Sequence, residues 1–271
     1  MEEPGRVLGE TRITLLHPLP LTDFIASYEL SATQWILLGL SGLLIGMAKT
    51  GLSGVGLMVV PILANAFGGR PSVGLLLPIL IFADVFAVTW YHRHADWKHI
   101  WRLIPWALGG ILVGTVVGKS LSDQTFNRVL GALVLTGISL LVWQDVRRSK
   151  MKIPDAKWFS ALMGLTGGFA TMIGNAAGPV MSLYLLSMRL PKNSYIGTGA
   201  WFFFMVNLSK VPFHIWSWNT ITVRSFLLDV LVIPAIAAGA IFGIWVVRLL
   251  PEKVFRMIII ATTLLSAILL F

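Results

Sequence analysis

The chain has 271 residues, of which 56% are hydrophobic and only 12% carry a formal charge, against roughly 25% charged residues in soluble domains. There is no cysteine, which excludes disulfides, thiolate metal centres and cysteine nucleophiles. The formal net charge of +9 comes mostly from short loops between long apolar runs, so it sets membrane orientation and does not mark a nucleic-acid surface.

Residues 1–31 read as a tail, expected on the periplasmic side. Its acids Glu2, Glu3, Glu10, Asp23 and Glu29 outnumber Arg6 and Arg12. No basic stretch precedes an apolar core there, so the tail is not a signal peptide. Pro18 and Pro20 break any long helix, leaving a short interfacial helix near Leu21–Leu30. Apolar segments follow at 32–48, 56–68, 72–91, 103–119 and 126–146. A basic stretch with Arg147, Arg148, Lys150, Lys152 and Lys157 comes next, and 147–157 is expected as a cytoplasmic linker. A second set runs at 158–173, 178–188, 194–213, 225–248 and 254–271. The segments 32–48, 56–68, 158–173 and 178–188 fall short of the roughly 20 residues that span a bilayer. They are either tilted crossings or half-helices meeting within the membrane.

The two sets repeat one another. Gly42 and Gly46 match Gly164 and Gly168; Gly74 matches Gly197; Asp84 matches Asn207. Leu103-Ile104-Pro105 matches Val232-Ile233-Pro234, Gly114 matches Gly243, and Phe126 matches Phe255. Each unit has an odd number of segments, so the second copy runs inverted, as in many secondary transporters. The expected fold is an all-α polytopic membrane protein. Repeat 1 covers 32–146 and repeat 2 covers 158–271, each of about five apolar segments with broken or short helices at glycine-rich motifs.

The loop charges give an independent test. With 147–157 cytoplasmic, alternate loops place Arg93, Lys98, Arg102, Arg147, Arg148, Lys150, Lys152, Lys157, Arg189, Lys192, Arg248, Lys253 and Arg256 inside. Arg6, Arg12, Arg70, Lys119, Arg128 and Arg224 fall outside. That bias follows the positive-inside rule and puts both termini in the periplasm.

Lys49 and Lys210 remain within apolar sequence, where a charge is costly and marks function. Lys49 lies in a glycine-rich stretch with Gly46, Thr50, Gly51, Ser53, Gly54 and Gly56. A second such stretch runs from Gly164 to Pro179 and holds Thr171, Gly174, Asn175 and Gly178. Unwound backbone survives in a membrane only inside protein or along a wet cavity. Close helix packing is the plainer use of such glycines. Each break precedes a new helix, whose unpaired N–H groups and dipole favour an anion. Lys49 adds a positive charge, and Thr50, Ser53, Thr171 and Asn175 add polar groups. The plainer use of Thr and Ser is a bond back to their own helix. Asp84, Asn207 and Lys210 sit on the third segment of each repeat, and Asp84 is expected to pair with Lys210 or Lys49. That pair is read either as a coupling device or as a structural ion pair.

His92, His94 and His99 share one stretch beside Asp96 and Lys98, which reads as a solvated loop without metal-ligand spacing. The run Trp201–Phe204 reads chiefly as lipid-facing, with a pocket wall as the alternative, and Trp97, Trp101, Trp216 and Trp218 read as interfacial belts. No Ser/His/Asp arrangement or Walker phosphate loop is present, so no enzyme is expected.

Three motifs carry a family resemblance. They are Lys49-Thr-Gly-Leu-Ser-Gly-Val-Gly56 with Pro61; Gly74-Leu-Leu-Leu-Pro78 with Asp84; and Ile196-Gly-Thr-Gly-Ala-Trp201 with Asn207-Leu-Ser-Lys210-Val-Pro212. Over residues 33–271 the chain resembles the TauE/SafE group of sulfite and organosulfonate transporters. It departs from the group in reading Gly174-Asn-Ala-Ala-Gly178 where an uninterrupted glycine run is usual. The resemblance implies a bacterial inner-membrane secondary transporter, mainly an exporter, for small sulfur-containing anions. A channel-like anion pore of the formate/nitrite type is the alternative. The expected substrate site comprises Lys49, Thr50, Ser53, Gly54, Gly56, Thr171, Gly174, Asn175, Gly178, Asn207 and Lys210, with Asp84 and Lys210 as the coupling pair. Expected partners are a small anion and the lipid bilayer, with protons as candidate coupling ion and a homodimer as candidate assembly. No cofactor, metal or nucleic acid is expected.

Overall fold

A computed structural model describes residues 25–122 and 157–251, with scattered positions between and after them; the side chains of Ser53 and Gly54 are outside that description. The described residues form helices and no strand. They are α1 (Ala32–Lys49), α2 (Val59–Phe67), α3 (Gly69–Tyr91), α4 (Trp97–Ser120), α5 (Lys157–Gly174), α6 (Gly178–Ser187), α7 (Lys192–Pro212), α8 (Val223–Leu231) and α9 (Ile233–Leu249). Helices α1, α3 and α4 are long and apolar enough to cross a membrane. Helices α8 and α9, bent by 48° where they join, make a fourth crossing if counted as one span. The protein is therefore an all-α membrane protein. The segments expected at 126–146 and 254–271, the linker 147–157 and most of the tail lie outside the described residues. Of the interfacial helix expected near Leu21–Leu30, only Ile25 and Ala26 are seen as helical, followed by a turn at Ser27 and Tyr28.

Local chemistry sets the helix starts. Ser31 caps α1 through a reciprocal box with Gln34, and Thr222 caps α8 in the same way with Ser225. Asp96 caps α4 by accepting from the Lys98 N–H at 3.1 Å. Proline in the first turn opens α6 and α9. The single segment expected at 225–248 divides into α8 and α9 at Val232, just before Pro234, whose ring cannot continue an unbroken hydrogen-bond ladder.

The main packing runs in pairs. Helix α4 lies along α5, α1 lies along α9, and α3 lies against α7. Glycines permit the first two contacts. A Cβ on Gly168 would overlap the backbone of Ala107, and one on Gly46 would overlap that of Ile236 and Ala240. In the partner helices, Gly110 abuts the backbone of Leu165 and Phe169, and Gly239 that of Leu43. Close backbone approach through small residues is how helices associate where lipid offers no hydrophobic drive. Apolar side chains fill two cores. One gathers residues of α4, α5, α6 and α7; the other gathers those of α1, α2, α3, α8 and α9.

Candidate functional site

The two glycine stretches are built differently. The first leaves α1 at Thr50, makes a 3₁₀ helix over Ser53–Met58 and runs straight into α2. This corrects the expectation of a bare helix start there, because α2 is continuous with the turn that feeds it. The second leaves α5 at Gly174 and turns through Asn175, whose φ of 53° is left-handed. Asparagine is among the few non-glycine residues that enter this region readily, which explains how it stands where a glycine run is usual. Helix α6 then starts at Gly178, with no side chain capping its first turn.

A cavity of about 90 Å³, counted as space open to the centre of a water-sized sphere, lies between the two breaks. One water needs roughly 10–15 Å³ by that measure, so the space holds a few waters or a small polyatomic anion. Lys49, Gly51 and Gly56 line it from the first break, Thr171, Asn175 and Gly178 from the second, and Asn207 from α7. Most of the remaining wall is apolar, including Leu57, Leu76, Met181 and Phe203. A Cβ on Gly178 would meet no atom within 4 Å, so this glycine leaves its side open.

Lys49 Nζ lies 2.7 Å from Asp84 Oδ1, an ion pair. It also sits 4.3 Å from the centre of the Phe203 ring, a cation–π contact. Asn207 Nδ2 donates to Asp84 Oδ2 at 2.6 Å, while Asn207 Oδ1 and the cavity side of Lys49 have no hydrogen-bond partner among the described residues. Lys210 is fully buried. Its Nζ donates to Thr171 O at 3.1 Å, Thr171 Oγ1 at 2.9 Å and Asn175 Oδ1 at 2.6 Å. Asn175 Nδ2 in turn donates to Val73 O at 3.1 Å. Two lysines and one aspartate leave one formal positive charge around the cavity. The carbonyl of Thr171 is in the last turn of α5, where the helix dipole favours a cation.

The partner of Asp84 is thus Lys49, and the expected Asp84–Lys210 pair is not formed. Asp84 lies opposite Asn207, and Asn207 fixes the carboxylate toward α1, where Lys49 ends the helix. Lys210, one turn further along α7, reaches the end of α5 instead. Thr50 does not line the cavity. Its Oγ1 donates to Gly46 O at 2.9 Å and Ala240 O at 3.1 Å, so it ties α1 to α9. Gly174 ends α5 and does not line the cavity; Ser53 and Gly54 begin the 3₁₀ turn, and the part expected of them in the site lies outside the described side chains.

Other expectations change as well. Phe203, expected to face lipid, is in the cavity wall. Trp218, expected at the interface, is buried, and its Nε1 donates to Thr115 O at 3.1 Å. Trp97, Trp101 and Trp216 are exposed on the outside of the bundle. His99, expected in a solvated loop, is in the first turn of α4 and buried, 2.8 Å from the Tyr184 hydroxyl. No group of three His, Asp or Glu side chains that could hold a metal occurs among the described residues. The aromatic run left a pocket wall open as the alternative to lipid, and Phe203 takes it; the sequence could not choose, because a helix wheel cannot say which stripe meets another half of the chain.

A family model described as sulfite exporter TauE/SafE matches residues 38–270. The chain belongs to the TauE/SafE family. Comparison with curated proteins and with solved structures finds no match. The match spans both breaks and both lysines, so the cavity lies within the TauE/SafE part of the chain. TauE/SafE is a transporter family, in accord with a cavity lined by polar binding groups.

Proposed function

We propose that this protein is a secondary transporter that exports small sulfur-containing anions, sulfite or organosulfonates, across the bacterial inner membrane by alternating access. The observation that carries the reading is the cavity between the two breaks, with its excess positive charge and its unused donors on Lys49. Sulfite and sulfonates each present three oxygens that accept hydrogen bonds. Lys49, the Thr171 hydroxyl, the Asn175 amide and the N–H groups that open α6 are positioned to meet them, with Lys210 supplying charge. An entering anion competes with Asp84 for Lys49, which links substrate binding to the contact between α1 and α3.

Inverted repeats support alternating access. Positions 84 and 207, matched by sequence, bond to each other at 2.6 Å, in keeping with equivalent positions beside an axis that relates two halves. The helix pairs obey the same exchange, since swapping the halves turns the α1–α9 contact into the α5–α4 contact. Gly74 abuts Thr220 beyond α7, and its match Gly197 abuts Tyr91 at the end of α3 and Ala95 beyond it. Two halves that pack on one another in this way can exchange conformations around a central site. The loop charges support periplasmic termini. Since there is no native cysteine, cysteines placed singly at Ser122 and Ser149 test this: they label from opposite sides of the membrane, and same-side labelling rejects the inverted arrangement.

The functional test is counterflow of labelled sulfite and a panel of sulfonates in proteoliposomes. A carrier exchanges one anion for another and saturates; a pore conducts faster and shows no dependence on a driving ion. Gly178→Leu places a side chain into the open space beside that glycine and is expected to abolish binding while the protein still folds. A bound anion found away from both breaks would reject the site.

A further inference from the structure

Helix α8 carries a second buried acid that the anion site does not use. Asp229 has no exposed surface, and among the described residues neither of its carboxylate oxygens has a hydrogen-bond partner. It lies one turn before the bend between α8 and α9, and its backbone carbonyl accepts from the Val232 N–H at 3.1 Å within that bend. The described residues around it offer no compensating charge. Among groups on α8 itself, the Arg224 guanidinium is held by Ser27 O and lies 5.3 Å from the Tyr28 ring centre. From the segment before α1, the Tyr28 hydroxyl donates to Arg224 O at 3.0 Å, and Glu29 is exposed. Burial pushes the Tyr28 phenol up, Arg224 pulls it down, and Asp229 raises it again, so the two acids are within electrostatic reach. On α3, Arg70 donates to Leu121 O, Asp84 is paired with Lys49, and the Tyr91 hydroxyl donates to Thr50 O. On α9 the sole titratable group is Arg248, stacked on Trp90 near the far end.

An isolated carboxylate is costly in such a place, whereas a neutral carboxylic acid is tolerated. The geometry points to Asp229 as the binding site of a coupling proton, taken from water on one side of the membrane and released on the other as the α8–α9 bend changes. This inference rests on the transport reading above and adds the identity and place of the driving ion. Binding is a simple protonation: the carboxylate oxygen accepts the proton and later returns it to water. The structure holds the fully enclosed form of the site, and coupling requires a second form in which the bend opens it.

A physical route joins Asp229 to the anion cavity. Val232, at the bend, packs against Gly42 of α1, where a Cβ would overlap its side chain. One turn on, Ile236 and Ala240 abut Gly46, and Ala240 O accepts from the Thr50 hydroxyl. Lys49, the last residue of α1, therefore rides on a helix that the bend positions. On the other side α8 packs on α3, which carries Asp84, the partner of Lys49. A proton that sets the bend thus sets the two elements that hold the Lys49–Asp84 pair.

The test uses the full chain in proteoliposomes and compares sulfite counterflow with accumulation driven by a pH gradient of either polarity. Wild type is expected to show both. In Asp229→Asn, accumulation relative to counterflow falls to the level seen without a gradient, and Asp229→Glu restores it. Asp229→Asn that accumulates anion like wild type overturns the inference, as does wild-type counterflow that no pH gradient can drive. Absence of wild-type counterflow with every anion instead overturns the transport reading. Infrared spectroscopy of folded wild type with isotope-labelled aspartate gives a readout independent of flux and of the variant's folding. A protonated aspartate carboxyl is expected at neutral pH, and its absence rejects the assignment.

Discussion

A lysine stands at each break: Lys49 is in the cavity wall, and Lys210 of α7 lies behind it and not, as expected, among the lining residues. The two are used in opposite ways. At the first, the charge of Lys49 is met by Asp84 while its N–H groups toward the cavity have no partner among the described residues. At the second, all three donors of Lys210 are taken by Thr171 and Asn175, but none of these acceptors carries a charge. A lysine ammonium has three donors and one charge, and the molecule divides the two resources between its halves. Directed bonding to an anion is left to the first break, and long-range attraction to the second. Balanced charge at the first break also keeps the empty cavity from holding two uncompensated cations within the membrane.

That division predicts different costs for losing each lysine. Lys49→Met strands the fully buried Asp84 without its cation, and breaking a buried pair from one side costs about 3–5 kcal/mol of stability. Thermal unfolding in detergent checks this, and Lys49→Met combined with Asp84→Asn is expected to recover most of the loss. A single variant as stable as wild type would show that the charges are not balanced at this break. Lys210→Met leaves three neutral acceptors and no buried anion, so its main effect falls on substrate. Anion affinity is expected to drop in equilibrium binding of labelled sulfite, by less than the roughly 1.5–3 kcal/mol of a charged hydrogen bond, because Lys210 acts on the anion through charge alone. Unchanged affinity would move the attractive charge to Lys49.

The turn at the second break allows a finer test. Asn175→Gly keeps the left-handed backbone and loses the bonds to Lys210 and Val73, whereas Asn175→Ala loses the bonds and adds strain. Alanine is therefore expected to be the less stable of the two by roughly 1 kcal/mol. Equal stabilities would mean that the backbone relaxes out of that conformation. The smallest effect belongs to Thr50→Val, which removes the tie to Ala240 and costs about 1 kcal/mol of stability with little change in anion affinity. A large affinity loss there would return Thr50 to the binding site.

Membrane character, the helix-breaking places and the family are legible in the sequence, because each is written in local composition. Apolar runs report the bilayer, glycine and proline report breaks, and the spacing Gly42–Gly46 recurs as Gly164–Gly168 since the same close helix contact occurs twice. Six of the expected site residues, Lys49, Gly56, Thr171, Asn175, Gly178 and Asn207, do line the cavity. Which charge meets which is not legible. Asp84 has two lysines within plausible reach along the sequence, and the choice depends on Asn207, 123 positions away, turning the carboxylate toward α1. The role of Thr50 is equally hidden, since the same hydroxyl serves a ligand or a neighbouring helix according to the face it turns.

The sequence by itself determined that this chain lives in a membrane, that it is broken by glycine at two matched places, and that it belongs with sulfite exporters. Tertiary structure alone decided that Lys49 is neutralised and Lys210 is not, and that Asp229 is buried without a partner among the described residues. Local features depend on residues a few positions apart, and a reader of the sequence sees those together. The charge balance depends on helices that meet only after folding, where burial makes each missing partner costly.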